Sequence, residues 1–119
     1  MEEVLKEIVE NNPEVEAVFI VDEEGIVISS YTRKELAIDP EEIAVQITHP
    51  LNRLIEMVKE ISEEKEELEE LLMFTTAHIL FSYKLINDTY LVVLAKKDAL
   101  YGKVRFKIRY KLPQIIEVL

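Results

Sequence analysis

The chain contains no cysteine, which excludes disulfides, thiol catalysis and cysteine-ligated metals together. Glycine is almost as scarce. With only Gly25 and Gly102 there is no glycine-rich loop of the kind that cradles nucleotide phosphates. Histidine occurs twice, and neither His49 nor His78 has a second histidine at ligand spacing, so no metal site is expected. His49 reads as a helix-surface residue and His78 as a turn residue. Ser29, Ser30 and Ser82 lack the strand-to-helix elbow of a hydrolase nucleophile. No apolar run approaches the roughly 20 residues that a membrane-spanning helix needs. The N-terminus, MEEVLKEIVE, mixes charge with apolar residues, unlike a signal peptide. A cytoplasmic protein without catalytic residues, cofactor or metal is the expectation.

What remains is an ordinary globular composition: 119 residues, 49% of them hydrophobic, enough for one domain spanning 1–119. The formal net charge of −10 repels nucleic acid and anionic membranes. Abundant Glu and Lys with few Gly and no Cys also suit a thermophile. The organising stretch is VEAVFIVDEEGIVISS, Val15 to Ser30. Two apolar runs flank Asp22-Glu23-Glu24-Gly25, where glycine permits a tight reversal, and this reads as a β-hairpin. Its runs are continuous, not alternating, so both faces of the hairpin are expected to be covered.

Around it, Val4, Leu5, Ile8 and Val9 fall at helical spacing and Asn11-Asn12-Pro13 ends that helix. Tyr31 to Ile38 reads as a polar connector. Asp39-Pro40-Glu41-Glu42 is a strong helix start, combining a cap, a proline suited to the first turn and acids at the positive dipole end. Ile43, Ile47, Leu51, Leu54, Val58 and Ile61 then recur as one stripe, widened by Ala44, Ile55 and Met57, which leaves apolar surface for a partner. Pro50 predicts a kink within that helix. Ser62 to Glu70 is an acidic run expected at the frayed helix end and a solvated turn. Strands are predicted at Leu71–Thr76, Ile79–Ile86 and Thr89–Lys96, with turns at Ala77-His78 and Asn87-Asp88. The final segment is ambiguous. Val104, Phe106, Ile108, Tyr110 and Leu112 alternate with basic residues as in a strand, whereas Leu100, Val104, Ile108, Leu112, Ile115 and Leu119 fit a helix, and Pro113 disfavours a central strand.

This order of elements, with VEAVFIVDEEGIVISS, the DPEEIAVQI helix start and the run NDTYLVVLAKKDALYGKVRFKI, resembles the Roadblock/dynein light chain family. Leu91 to Ala95 followed by Asp98-Ala99-Leu100-Tyr101-Gly102 is similar to the family's last strand and turn into a final helix, which tips 103–112 towards helix. The resemblance implies an α+β fold in the order α-β-β-α-β-β-β-α. A five-stranded antiparallel sheet would carry the long helix on one face and the N- and C-terminal helices on the other. It also implies a homodimer formed by pairing the third strand and packing the long helices, with Ile47, Leu51, Leu54, Val58, Leu72 and Phe74 at the interface.

Bacterial and archaeal relatives of this family resemble regulators of small Ras-like GTPases, the gliding-motility polarity pair among them. The resemblance therefore implies a non-enzymatic dimer that binds a GTP-loaded Ras-like partner and promotes hydrolysis by repositioning the GTPase's own residues. The contacts would come from Gln46, His49, Asn52, Arg53 and Glu56. The alternatives are a structural adaptor dimer with no effect on nucleotide turnover and, from another class, a ligand sensor of the PAS or profilin-like type. A chain ending at Leu119 is expected to lack the C-terminal extension some relatives use, which disfavours nucleotide exchange more than binding of the GTP state. The carboxylate pairs Glu23-Glu24, Glu41-Glu42 and Glu63-Glu64 read as solvated charge. The basic series Lys103, Arg105, Lys107, Arg109 and Lys111 reads first as solubility and pairing with the Glu-rich segment, and second as a docking face for an acidic partner.

Overall fold

The computed structural model describes residues 1–35, 37–97 and 100–119. Helix α1 (Glu2–Glu10) buries Val4, Leu5, Ile8 and Val9 and ends where Asn12 Nδ2 donates to the Ile8 carbonyl at 2.7 Å. Strands β1 (Val15–Asp22) and β2 (Val27–Thr32) form the expected hairpin. Asp22 Oδ1 accepts from the amides of Glu24 and Ile26, and Gly25 takes φ 88°. A Cβ at Gly25 would also stand 3.4 Å from the Ala44 carbonyl of the long helix, so glycine serves both the turn and a close approach.

Helix α2 (Pro40–Ile61) runs unbroken through Pro50 and is capped by Asp39, whose side chain accepts from the Glu41 amide. Strands β3 (Glu70–Phe74), β4 (His78–Lys84) and β5 (Thr89–Lys96) follow, and helix α3 (Tyr101–Val118) ends the chain. In the β4–β5 turn Asn87 and Asp88 both adopt positive φ, the pair of left-handed residues a tight hairpin requires, supplied without glycine. All pairings are antiparallel and the order is β2-β1-β5-β4-β3. One core lies between the sheet and α1 with α3, built on Val18, Ile20, Phe81, Leu91, Val93 and Ile108. The other lies under α2, built on Phe19, Val21, Leu51, Ile55, Leu80 and Val92. The predicted α+β fold, with its order and its division of helices, is the one observed.

Three expectations are corrected. Only β1 is covered on both faces; β2 is a sheet edge, extends to Thr32 into the predicted connector, and leaves Ile26 and Ile28 exposed beside a register shift. The ambiguous final segment is helix, as the resemblance implied: hydrophobic alternation there coincides with a buried line of Val104, Ile108 and Ile115. His78 begins β4 instead of sitting in the turn, which Thr75 closes by accepting from the amides of Ala77 and His78. The α2 stripe is rotated, since the line facing the sheet is Ala44, Thr48, Leu51 and Ile55. Asp98 and Ala99 of the turn into α3, and Leu36 of the connector, lie outside the described residues. Among the described residues no helix is long and apolar enough to cross a membrane.

Candidate partner interface on the long helix

At about 100° per residue, a helix whose Ala44, Thr48, Leu51 and Ile55 face inwards turns Gln46, Arg53 and Glu60 directly outwards, with His49 and Glu56 towards the Asn52 flank. Gln46, His49, Arg53 and Glu56 are indeed exposed. His49, Pro50, Arg53, Glu56, Met57 and Glu60 line a shallow groove along this face. Pro50 has no amide hydrogen, so the Gln46 carbonyl four residues earlier loses its in-helix donor and stays available to a partner. Among the described residues Arg53 has no ion-pair partner, so its guanidinium is free to meet an incoming group.

Asn52 behaves differently from the other expected contact residues. It is half-buried on the flank of α2 that meets the first hairpin. Its Nδ2 donates to the Glu23 carbonyl at 3.0 Å, and its Oδ1 accepts from the Tyr90 hydroxyl at 2.6 Å. Burial raises the Tyr90 pKa, so the phenol stays a donor. Asn52 thus fixes α2 on the sheet and sets the angle at which its neighbours are presented. Sequence spacing alone could not separate it from Arg53, one position on.

The residues expected at the dimer interface divide between the two sides of the sheet. Leu51 is 3% exposed and belongs to the core of this chain. Ile47, Leu54 and Val58 are half-covered on the α2 flank opposite Asn52. Since Asn52 faces the hairpin, that opposite flank faces the β3 half of the sheet, where Leu68 and Leu71 join the same core. Leu72 packs with the other core, and Phe74 meets Tyr101 of α3 edge to face, with centroids 5.4 Å apart. Period-two alternation therefore gives the α2 side to Leu71 and Met73, a pattern already present in the sequence. Strand β3 itself is a sheet edge whose outer backbone groups have no strand beside them, next to the exposed Met73 and Phe74.

Two polar clusters join residues far apart in the chain. His78 Nε2 lies 2.8 Å from Oε1 of the buried Glu16, an ion pair only when the imidazole carries a proton. Glu70, the first residue of β3, accepts from Arg105 Nε at 2.7 and 2.9 Å, with Arg109 at 3.8 Å. The Arg105 hydrogen bond holds the Glu70 carboxyl below its ordinary value against the opposing effect of burial. The pairing anticipated for the basic series thus exists at the last residue of the Glu-rich segment. Among the described residues no group of acidic or histidine side chains has the arrangement of a metal site.

The profile of the Roadblock/LC7 domain matches residues 1–95, and the chain belongs to this family. Its fold is similar to that of MglB from Myxococcus xanthus, with a TM-score of 0.86, 20% identity, and coverage of 98% of this chain and 92% of the other. The gliding protein MglB from Thermus thermophilus gives 0.84 at 15% identity, covering 98% of this chain and 85% of the other. MglC from Myxococcus xanthus gives 0.70 at 19% identity, covering 98% and 97%. No curated protein matches the chain.

Proposed function

We propose, from membership of the Roadblock/LC7 family, that this protein is a cytoplasmic, non-enzymatic regulator of a small Ras-like GTPase. In this reading it acts as a homodimer that binds the GTP state and promotes hydrolysis. Pairing of two β3 edges would bury their open backbone groups and bring the half-covered flanks of two α2 helices together, which answers the hazard of an unpaired strand. The outward rows Gln46, His49, Arg53 and Glu56 of both copies would then form one continuous surface. The observation that carries the reading is this exposed polar row with an unpaired Arg53, beside an apolar flank that the chain does not cover.

The work of such a surface is binding energy directed at the GTPase switch loops, holding them where their own residues orient the attacking water. Arg53 serves as a contact and not as an arginine finger, an effect that would supply roughly 10³–10⁵-fold. The test uses a purified Ras-like GTPase encoded beside this protein, loaded with GDP or a non-hydrolysable GTP analogue, followed by phosphate release with GTP. Retention only of the GTP-like form, with faster phosphate release, is the expected result. Arg53→Ala should weaken binding and stimulation together. Retention indifferent to nucleotide, with unchanged turnover, would favour the adaptor reading. Loss of stimulation in Arg53→Ala with binding intact would make Arg53 a catalytic finger.

A further inference from the structure

The basic series of α3 is not exhausted by the pairs it makes. Between Tyr101 and Ile116 there are five cationic residues and no acidic one, in a chain of net charge −10. In a helix these cations separate to two sides, Lys103, Lys107 and Lys111 on one and Arg105 and Arg109 on the other. Between them stand Phe106 and Tyr110, 70% and 75% exposed, with rings stacked at a centroid distance of 6.4 Å. The ring pair has one groove on either side. The first runs between α1 and α3 past Ile8, Asn11, Lys107 and Lys111, and the second past Gly102, Arg105 and Arg109. Lys111 meets Glu7 across the first groove, and Arg105 meets Glu70 beyond the second. Among the described residues Lys103 and Lys107 have no carboxylate partner.

We infer that this aromatic ridge with basic walls is a docking site for an acidic segment of a partner protein that carries aromatic or leucine anchors. Charge complementarity selects the occupant. A local positive surface on an otherwise acidic molecule steers and orients a negative segment, while the rest of the surface repels misplaced ones. The rings add the apolar part: two large faces left in water at a helix surface gain most from anchors that cover them. A flat anionic membrane fits less well, because Glu2, Glu3, Glu7 and Glu10 of the adjacent α1 would be brought to the same surface. Because α3 and α2 lie on opposite faces of the sheet, this site can be filled while the α2 row is engaged.

The test needs no GTPase. A display library of random peptides is panned against the full-length protein, and the enriched peptides are synthesised and titrated by fluorescence anisotropy. Enrichment of acidic sequences with aromatic or leucine anchors is expected, with affinity falling at least about tenfold in Phe106→Ala/Tyr110→Ala and in Lys107→Glu. Phe106 and Tyr110 are exposed and Lys107 is half-buried, and equal thermal unfolding of variant and parent checks their folding. Arg53→Ala should bind these peptides as the parent does. Enrichment without acidic anchored sequences, or peptide binding that survives both variants, overturns the inference. So does sedimentation with phosphatidylserine vesicles, or self-association by light scattering, that depends on Phe106 and Tyr110 in place of peptide binding.

Discussion

Arg33 is the single side chain that ties most of the N-terminal half together. Its guanidinium donates to the carbonyls of Val15 at 2.8 Å, Val9 at 2.6 Å and Asn12 at 2.9 Å, joining the end of α1 to the start of β1 from the end of β2. The Val9 and Asn12 carbonyls also accept from the amides of Asn12 and Val15, so the planar fork supplies each a second donor. Arg33→Ala should therefore destabilise the fold by about 2–3 kcal/mol, measured by urea unfolding, since it removes charge-assisted bonds from partly buried carbonyls. Arg33→Lys should recover only part of this, because an ammonium cannot reproduce the fork. A loss within about 0.5 kcal/mol, the range of ordinary surface substitutions, would show that water replaces the guanidinium without penalty. Asn52 is comparable in kind: its value lies in joining the hairpin tip, α2 and β5 at one point.

Among the elements, β3 holds the least secure position. It pairs on one side only, with β4, and its start is tied to α3 through Glu70 and Arg105. The Glu70 carboxyl is held below its ordinary value of 4.5 by that hydrogen bond. A depressed acid adds stability that is complete above the unfolded value and is lost as pH falls through the lower folded one. The stability difference between the parent and Glu70→Gln should therefore be full at neutral pH and shrink on acidification below 4.5, as followed by thermal unfolding across that range. A difference that stays constant with pH would mean that the Glu70 carboxyl titrates alike in the folded and unfolded chain. Helix α3 gains from the same bond, since its first turn carries no acid and no side-chain cap.

The whole molecule is a sheet with both faces covered, but its apolar surface is not balanced between edges. On the α2 side, the β3 half carries exposed Met73, and α2 carries the half-covered Ile47, Leu54 and Val58 with the exposed Met57 and Ile61. A contiguous surface of this kind is characteristic of an interface with a second copy. If the proposed homodimer forms, Met73→Lys combined with Val58→Lys should shift the protein to monomer in light scattering at micromolar concentration while leaving its circular dichroism unchanged. Two lysines at the centre of such a surface place unpaired charge in a desolvated contact. A dimer that survives both substitutions would place the contact elsewhere. If the proposed function holds, the monomeric variant should also lose GTPase binding, because each copy would present only half of the outward row.

The sequence by itself determined most of the elements and those ends that short capping and turn motifs mark. Asp39-Pro40, Asn11-Asn12-Pro13 and Asn87-Asp88 act through bonds and dihedral preferences of a few neighbouring residues, so they are legible without the fold. The continuous apolar run of β1 likewise announced a strand covered on both sides. Only the tertiary structure decided which side of each helix faces inwards. Helix α2 has more apolar residues than the sheet can cover, so periodicity allowed several rotations, and the contact of Asn52 with Glu23 and Tyr90 selected one. For α3, period two and period 3.6 were both present in the residues, and packing of Val104, Ile108 and Ile115 on the sheet settled the choice. That choice split the basic series to two sides of a helix and set Phe106 and Tyr110 between them. Pairs such as Glu16 with His78 and Glu70 with Arg105 join residues far apart in the chain, which local patterns cannot encode.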